Sequence, residues 1–343
     1  MSGSAENHGR AGRATMVDVA HAAEVSLKTV SRVINGESGV RSGTIKKVLD
    51  AATALRYERN DLAASLRHGA RSFTLGLIIE DVANPFYSAV AQAVEESARR
   101  RSTLLITASA REDQSREHEL VTALLRRRVD ALLVVPAGAD HRYIQDTGFD
   151  TKIVFLDRPP AKTTADTILV ENAAGARRAV DHLLAGGHTR IAFIGDDLRL
   201  YTARERLSGY RRALRAADLP IDPELVLAGK STSSAAELAA LQLLALPRER
   251  RPTAIFTGNN RCTIGALHAL SGKRNRKHIG LVGFDDFELA DLLEVTVVRT
   301  NPHRMGQLAA ELAFSRIDGD ERKPQRVVVP AELVTRGSGE TSA

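Results

Sequence analysis

From residue 73 onward the hydrophobic positions of the chain alternate between two textures. Short, nearly unbroken apolar runs, of which FTLGLII at 73–79 is the first, are bounded by polar turns and fit strands buried on both faces. Between them lie longer stretches with apolar residues three and four apart, the spacing of amphipathic helices. The pattern predicts strands over 73–79, 103–108, 131–135, 153–156, 191–195, 225–228, 254–257, 279–284, 296–299 and 327–329. It predicts helices over 85–100, 115–128, 173–185, 204–217, 234–246, 263–270 and 302–317. Roughly ten strands alternating with helices imply an α/β fold of parallel sheets covered on both faces, and suit two similar lobes better than one wide sheet. A ligand crevice then falls beyond the carboxyl ends of the strands, between the lobes.

Residues 14–59 read differently. Thr15 with Asp18 three positions on is a capping-box start, and Val17, Ala20 and Ala23 follow as its apolar face. A break at 24–26 leads into a second helix over 27–34, with Val30, Val33 and Ile34 apolar and Asn35-Gly36 as its stop. A third helix is expected over 42–55, with Ile45, Val48, Leu49, Ala52 and Leu55 at helical spacing. Two short helices broken by a tight turn form the helix-turn-helix arrangement, in which the second helix is presented to the DNA major groove. That helix turns Ser26, Leu27, Lys28, Thr29, Ser31 and Arg32 outward. Their hydroxyls and cations suit phosphates and base edges, and a guanidinium such as that of Arg32 can fork onto guanine. An ordinary helical hairpin with a solvated polar face would show the same pattern, so the residues alone leave both open.

Charge favours the first. The chain has a net charge of +6, of which +4 lies in residues 1–71, where eleven Lys/Arg meet seven Asp/Glu. A basic headpiece fits a polyanionic partner. Residues 1–13 are Gly/Ser/Arg-rich without periodicity and are expected to be a disordered arm. No apolar run approaches the roughly 20 residues that cross a bilayer, and the N-terminus has no apolar leader core, so a cytoplasmic protein without membrane contact is expected. The lone Cys262 excludes an internal disulfide framework and a multi-cysteine metal site. GxGxxG after the first strand, GxxxxGK[ST] and GxSxG are all absent, and His182 and His188 stand six apart, away from metal-ligand spacing. Neither enzyme activity nor a cofactor or metal is therefore expected. The basic runs at 126–128 and 273–277 read as solvated faces.

The segments VDVA at 17–20, VSLKTVSRVING at 25–36 and LRYERNDLAASLR at 55–67 resemble the LacI/GalR family of repressors. The likeness continues through IIEDVANPFY, RRRVDALLVVP, FLDRP, HLLAGGHTRIAFIG, TARERLSGYRRAL, PTAIFTGNN, GLVGFDDFELA and PAELVTRGS, over about residues 15–338 in one order. It implies a small all-α headpiece at 14–59, a hinge helix and linker at 60–71, and a periplasmic-binding-protein-like effector and dimerisation domain at 72–338, ahead of a short tail. It further implies a homodimer on a pseudo-palindromic, double-stranded operator, controlled by a small molecule bound between the lobes. Leu27 and Lys28 match the pair that chooses operator bases, with Arg32 as a further contact. Asn35 and Asn60 join the DNA-facing set, and Leu66 matches a leucine wedged into the minor groove. Three positions depart from the pattern. Glu24 replaces a turn glycine, at a cost of up to about 1 kcal/mol if φ is positive there. Ser42 is expected to cap the third helix one residue late, and Arg59 replaces a proline before the hinge.

Asp81, Phe86, Asp157, Arg206, Asn259 and Asp285 each fall near a strand end or helix start and are the candidate effector-binding set. By resemblance, Arg206 is the effector-holding arginine, while Asp157 and Asp285 are the carboxylates of FLDRP and GFDD. Asp81, Phe86 and Asp157 are expected on one lobe, Arg206 and Asp285 on the other. Carboxylates, an amide and an arginine around an aromatic face suit a polyhydroxylated ligand. With no tryptophan in the chain, stacking would fall to Phe86 or Phe284. Asn260 stands where the family commonly has Asp, and Thr300 where an amide is frequent. A carbohydrate effector is the first expectation; a corepressor resembling a nucleobase is the alternative. No heptad run follows Pro330, so a coiled-coil tetramer is not expected.

Overall fold

The computed structural model describes residues 14–34, 37–57, 71–144, 150–271 and 279–341. The arm at 1–13, the hinge at 60–67 and the basic run at 273–277 lie outside the described residues, as do Asn35, Asn60 and Leu66. The chain divides into two compact units, Met1–Ser72 and Phe73–Ala343.

The first unit holds α1 (Met16–Ala22), α2 (Leu27–Ile34) and α3 (Ser42–Ala54). α1 starts with the expected capping box: the Asp18 N–H donates to the Thr15 hydroxyl, and the Thr15 N–H donates to the Asp18 carboxylate at 2.7 Å. At α2 the Ser26 hydroxyl accepts from the Thr29 N–H at 3.1 Å, which orients the helix start. Six side chains make the buried core: Val19, Ala20, Ala23, Val30, Val48 and Ala52. Val17 and Leu49, expected there, are 53% and 49% exposed. A helix turns about 100° per residue, so burying Val19 swings Val17 to the opposite side, and burying Val48 turns Leu49 outward. Leu55 is also exposed. Ser42 does not cap α3; Arg41 occupies the cap position and supplies no side-chain bond. Glu24 adopts φ +55°, so the turn does demand the conformation that glycine provides most cheaply.

The second unit contains two lobes. The first lobe is built from β1 (Thr74–Ile79), α4 (Pro85–Arg99), β2 (Leu104–Ser109), α5 (Gln114–Arg126), β3 (Ala131–Val134), β4 (Lys152–Leu156) and β5 (Asp166–Val170). The second begins with α6 (Asn172–Ala185), β6 (Ile191–Ile194), α7 (Tyr201–Ala216), β7 (Val226–Leu227) and α8 (Ser233–Leu244). It continues through β8 (Ala254–Thr257), α9 (Asn260–Leu270), β9 (Gly280–Phe284) and β10 (Thr296–Arg299). The chain then returns to the first lobe with α10 (Pro302–Ile317) and β11 (Arg326–Val329), and ends in the second with β12 (Glu332–Val334). The two six-stranded sheets have orders β11-β5-β4-β3-β1-β2 and β12-β10-β9-β8-β6-β7, the same plan twice. Their paired strands are parallel except β12, which runs antiparallel to β10.

Two strands escaped the hydrophobic pattern. β5 opens with Asp166 and Thr167, which leaves only three apolar residues to signal it. The fold buries that carboxylate against Arg316, whose Nε and Nη2 donate to it at 2.7 and 2.9 Å across 150 residues of sequence. β12 has three residues on a sheet edge. Helices α7 and α9 each begin three residues before the predicted start. Arg206 therefore lies in the second turn of α7 rather than opening it. Helix pairs pack closely through glycine: a Cβ on Gly209 would stand 2.3 Å from the Ala173 carbonyl oxygen on α6, and one on Gly306 would stand 2.4 Å from that of Val90 on α4.

Candidate functional site

In a parallel sheet the strand order reverses at one point, and polar groups at the carboxyl ends of the strands collect there. The reversal falls between β1 and β3 in the first lobe and between β6 and β8 in the second. Glu80 and Asp81 follow β1, Asp157 and Arg158 follow β4, Gly258 and Asn259 follow β8, and Asp285 follows β9. Asp157 and Asp285 share one device. Each keeps its N–H in the sheet, bonded to the Ile168 and Val298 carbonyls at 2.8 and 2.9 Å. Each then takes a left-handed conformation, φ +63° and +67°, and ends its strand as a carboxylate on the cavity wall. Aspartate tolerates this region better than most residues, yet two such positions at one cavity mark stored strain.

Arg206 reaches the same cavity from α7. Its Nε donates to Asn172 Oδ1 at 2.7 Å, and its Nη1 to the Gly258 carbonyl at 2.7 Å and to Asp285 Oδ2 at 3.0 Å. The guanidinium sits over Phe284, its Cζ 3.8 Å from the ring centroid. Phe284 is fully buried beneath it and cannot serve as a stacking platform, which leaves Phe86 of the two expected aromatics. Thr300 donates to Asp285 Oδ1 at 3.3 Å. Burial pushes the Asp285 carboxyl above the usual carboxylate range; the Arg206 charge opposes this and the Asp157 charge adds to it.

From the first lobe, Asp157 Oδ2 accepts from the Tyr87 hydroxyl at 2.9 Å. Burial, reinforced by Asp157, raises the Tyr87 pKa well above its ordinary value, so the phenol remains a donor. Asp157 Oδ1 is buried and, among the described residues, has no hydrogen-bond partner. Arg158 pairs with Glu112 at 2.5 and 2.6 Å and donates to the Pro136 carbonyl at 2.9 Å. The lobes are bridged above this layer. Arg261 of α9 binds Glu80 at 3.0 Å and Asp81 at 2.8 Å, and the Asn260 amide donates to Asn84 Oδ1 at 3.1 Å. Burial raises the Glu80 carboxyl, against the lowering effect of Arg261.

The cavity in this cleft measures about 50 Å³, room for about four water molecules. Phe86, Asp157, Arg206, Asn259 and Asp285 line it, Phe86 and Asp157 from the first lobe and Arg206, Asn259 and Asp285 from the second. Asp81 is not in that lining; its carboxylate is engaged by Arg261 and by the Ala83 N–H. Asn259 serves chiefly as the cap of α9, accepting from the Cys262 N–H at 2.8 Å, and its amide donates to Asp196. Sequence reasoning missed Glu80, Tyr87, Glu112, Arg158, Asp196 and Arg261. Arg158 and Glu80 sit beside chosen residues and share their signal, the first polar position after an apolar run. Nothing local marks Tyr87 or Glu112.

In the headpiece, Ser26, Leu27 and Lys28 are exposed at the start of α2, and Thr29, Ser31 and Arg32 are partly so. Ser26, Thr29 and Arg32 are already engaged. The Ser26 and Thr29 hydroxyls bond each other at 2.8 Å, and Arg32 Nη2 donates to the Ser38 carbonyl at 2.6 Å, with Glu37 3.5 Å from its Nε. Lys28 shows no such tie among the described contacts.

A helix-turn-helix unit on a two-lobed domain with a polar cleft at its strand ends defines a DNA-binding regulator with an effector domain. The chain belongs to the lacI family of bacterial regulatory proteins: that family's model matches residues 15–60, and the periplasmic binding protein-like domain matches 180–339. It is 30% identical over 331 residues to the HTH-type transcriptional repressor PurR of Aliivibrio fischeri (strain ATCC 700601 / ES114), covering 95% of this chain and 98% of that one. It is 33% identical over 331 residues to the ribose operon repressor of Escherichia coli (strain K12), covering 95% and 99%. Among solved structures, the lac repressor dimer bound to operator and the anti-inducer ONPF matches with a TM-score of 0.84 at 26% identity, covering 97% of this chain and all of that one. Among the described residues, no helix is long and apolar enough to cross a membrane.

Proposed function

We propose that this regulator is a cytoplasmic homodimeric repressor that reads a pseudo-palindromic operator and answers to a carbohydrate held between its lobes. The observation that carries the ligand class is Asp157 Oδ1, a buried acceptor on the cavity wall with no partner. A buried carboxylate oxygen left unsatisfied is costly, and a ligand hydroxyl is the donor that removes the cost. Asp157, Arg206 and Asp285, with Phe86 against the ligand's apolar face, form the binding set; Asn259 and Asp81 shape it from behind. A pentose has ten heavy atoms and exceeds a cavity of about 50 Å³, so the Arg261 bridge opens to admit it and lobe motion accompanies binding. That motion is the signal passed to the headpieces. The regulator performs no chemistry on the ligand.

On the DNA side, Leu27 and Lys28 choose bases at the start of α2, Ser26, Thr29 and Ser31 hold phosphates, and Arg32 reads a further base after leaving Ser38. Asn35, Asn60 and Leu66 complete the set, with Leu66 as the minor-groove wedge. Thermal shift of the full chain with D-ribose, D-glucose, other neutral sugars and a panel of nucleobases tests the ligand class. Stabilisation by a sugar supports the carbohydrate reading, and stabilisation by nucleobases alone refutes it. Footprinting tests the dimer: protection of one asymmetric half-site by a monomer at full affinity overturns it.

A further inference from the structure

The charges lining the cavity do not balance. Glu80, Glu112, Asp157, Asp196 and Asp285 face it with five carboxylates, against the three guanidiniums of Arg158, Arg206 and Arg261. Each guanidinium is engaged by carboxylates: Arg158 by Glu112 and, at 3.6 Å, by Asp157, Arg206 by Asp285, and Arg261 by Glu80 together with Asp81. The five lining carboxylates still outnumber the three guanidiniums. Asp196 is satisfied by neutral donors, the Ser231 hydroxyl at 2.5 Å, the Asp197 N–H at 2.7 Å and the Asn259 amide at 3.2 Å. Asp157 Oδ2 accepts from the Tyr87 hydroxyl and lies beside Arg158, while among the described residues Oδ1 has no hydrogen-bond partner. Arg158 Nε is a spare buried donor, but it lies 3.6 Å from Asp157 Oδ2, so an anion drawn to it meets a carboxylate. Burial raises the Asp285 and Glu80 carboxyls; Arg206 and Arg261 respectively oppose this, and Asp157 and Glu112 add to it to a lesser extent.

We propose that this cleft selects its effector by charge, taking a neutral, hydroxyl-rich ligand that donates to Asp157 Oδ1 and rejecting the phosphate ester or carboxylic acid of the same sugar. The proposal rests on the carbohydrate reading above and narrows it. Asp157 is the specificity residue, because its unpaired oxygen rewards a donor and repels an anion at the same point. Bringing a phosphate within about 5 Å of the Asp157 carboxylate, in a cleft whose acids outnumber its guanidiniums, weakens binding by about a hundredfold relative to the neutral sugar.

The test uses the full-length chain and matched pairs: D-ribose with D-ribose 5-phosphate, D-glucose with D-glucose 6-phosphate and D-gluconate, each titrated by calorimetry. The expected result is binding of at least one neutral sugar, with its anionic derivative about a hundredfold weaker or undetected. Asp157→Asn keeps the shape and tolerates the left-handed backbone. It is expected to weaken the neutral sugar about tenfold or more and to shrink the gap between that sugar and its anionic partner. An unchanged gap in Asp157→Asn removes Asp157 from the role. A phosphate or acid that binds as tightly as its parent sugar overturns charge selection while leaving the carbohydrate reading intact. Silence from every neutral sugar, with or without a nucleobase response, counts against both.

Discussion

Replacing Arg206 with alanine tests how far the effector site is also part of the structural core. By its resemblance, Arg206 is an effector contact. In the structure it is 6% exposed and serves three acceptors, Asn172 Oδ1, the Gly258 carbonyl and Asp285, the last only 7% exposed. Removing one partner of a buried ion pair costs about 3–5 kcal/mol, because the remaining charge stays desolvated. At about 2–4 °C per kcal/mol for a domain of this size, the melting temperature should fall by roughly 6–20 °C. The loss should depend on pH with a definite sign. Asp285 already has a raised pKa, and losing the Arg206 charge raises it further. A carboxyl whose folded pKa exceeds its unfolded value weakens the fold above the folded pKa, and the penalty fades as pH falls towards the unfolded value, about 4. The deficit of Arg206→Ala should therefore be largest near neutral pH and narrow on acidification. Arg206→Ala/Asp285→Asn, which removes both charges, should recover at least half of it. Thermal melts of ligand-free full-length protein across pH 4.5–7.5 provide the measurement. A variant melting within 2 °C of the parent at neutral pH, or a deficit that grows on acidification, would show that the ion pair does not hold this wall together.

The other predictions are more local. Glu24→Gly should stabilise the headpiece by roughly 0.5–1 kcal/mol, since φ +55° is forced on a residue with a Cβ; chemical denaturation of the full chain, followed by a headpiece probe, reads this directly. Lys28→Ala should leave stability unchanged and cost specific operator binding about 1–3 kcal/mol, with equal losses on operator and random DNA refuting base readout. Arg32→Ala should in addition lower headpiece stability by about 0.5–1.5 kcal/mol, because its bond to the Ser38 carbonyl is lost. Arg261→Gln should separate the lobes, raising the radius of gyration in ligand-free X-ray scattering, since its ion pairs with Glu80 and Asp81 join α9 to the end of β1; an unchanged scattering curve would mean other contacts hold the cleft shut.

The sequence by itself determined the class of this protein through the family likeness of its segments. The capping box, tight turn and polar second helix alone left an ordinary helical hairpin open, while the β/α alternation marked parallel sheets. The sequence also marked Glu24 at a turn where glycine is usual and put carboxylates at the ends of β4 and β9. Tertiary structure decided what those side chains do. A carboxylate after a strand looks the same whether it is paired, orphaned or bridging. Only the packing of distant segments makes Asp285 a buried partner of Arg206, gives Asp81 to Arg261, and leaves Asp157 Oδ1 without a donor. For the same reason β5 escaped the pattern: Asp166 becomes a core residue only because Arg316 arrives from 150 positions away. Arg206 likewise covers Phe284 through a contact spanning two helix-strand units, which removed the aromatic face that composition had offered. Hydrophobic periodicity records which way a residue faces; the charge partners of a cleft are set by which loops the two sheets bring together, and no local pattern encodes that pairing.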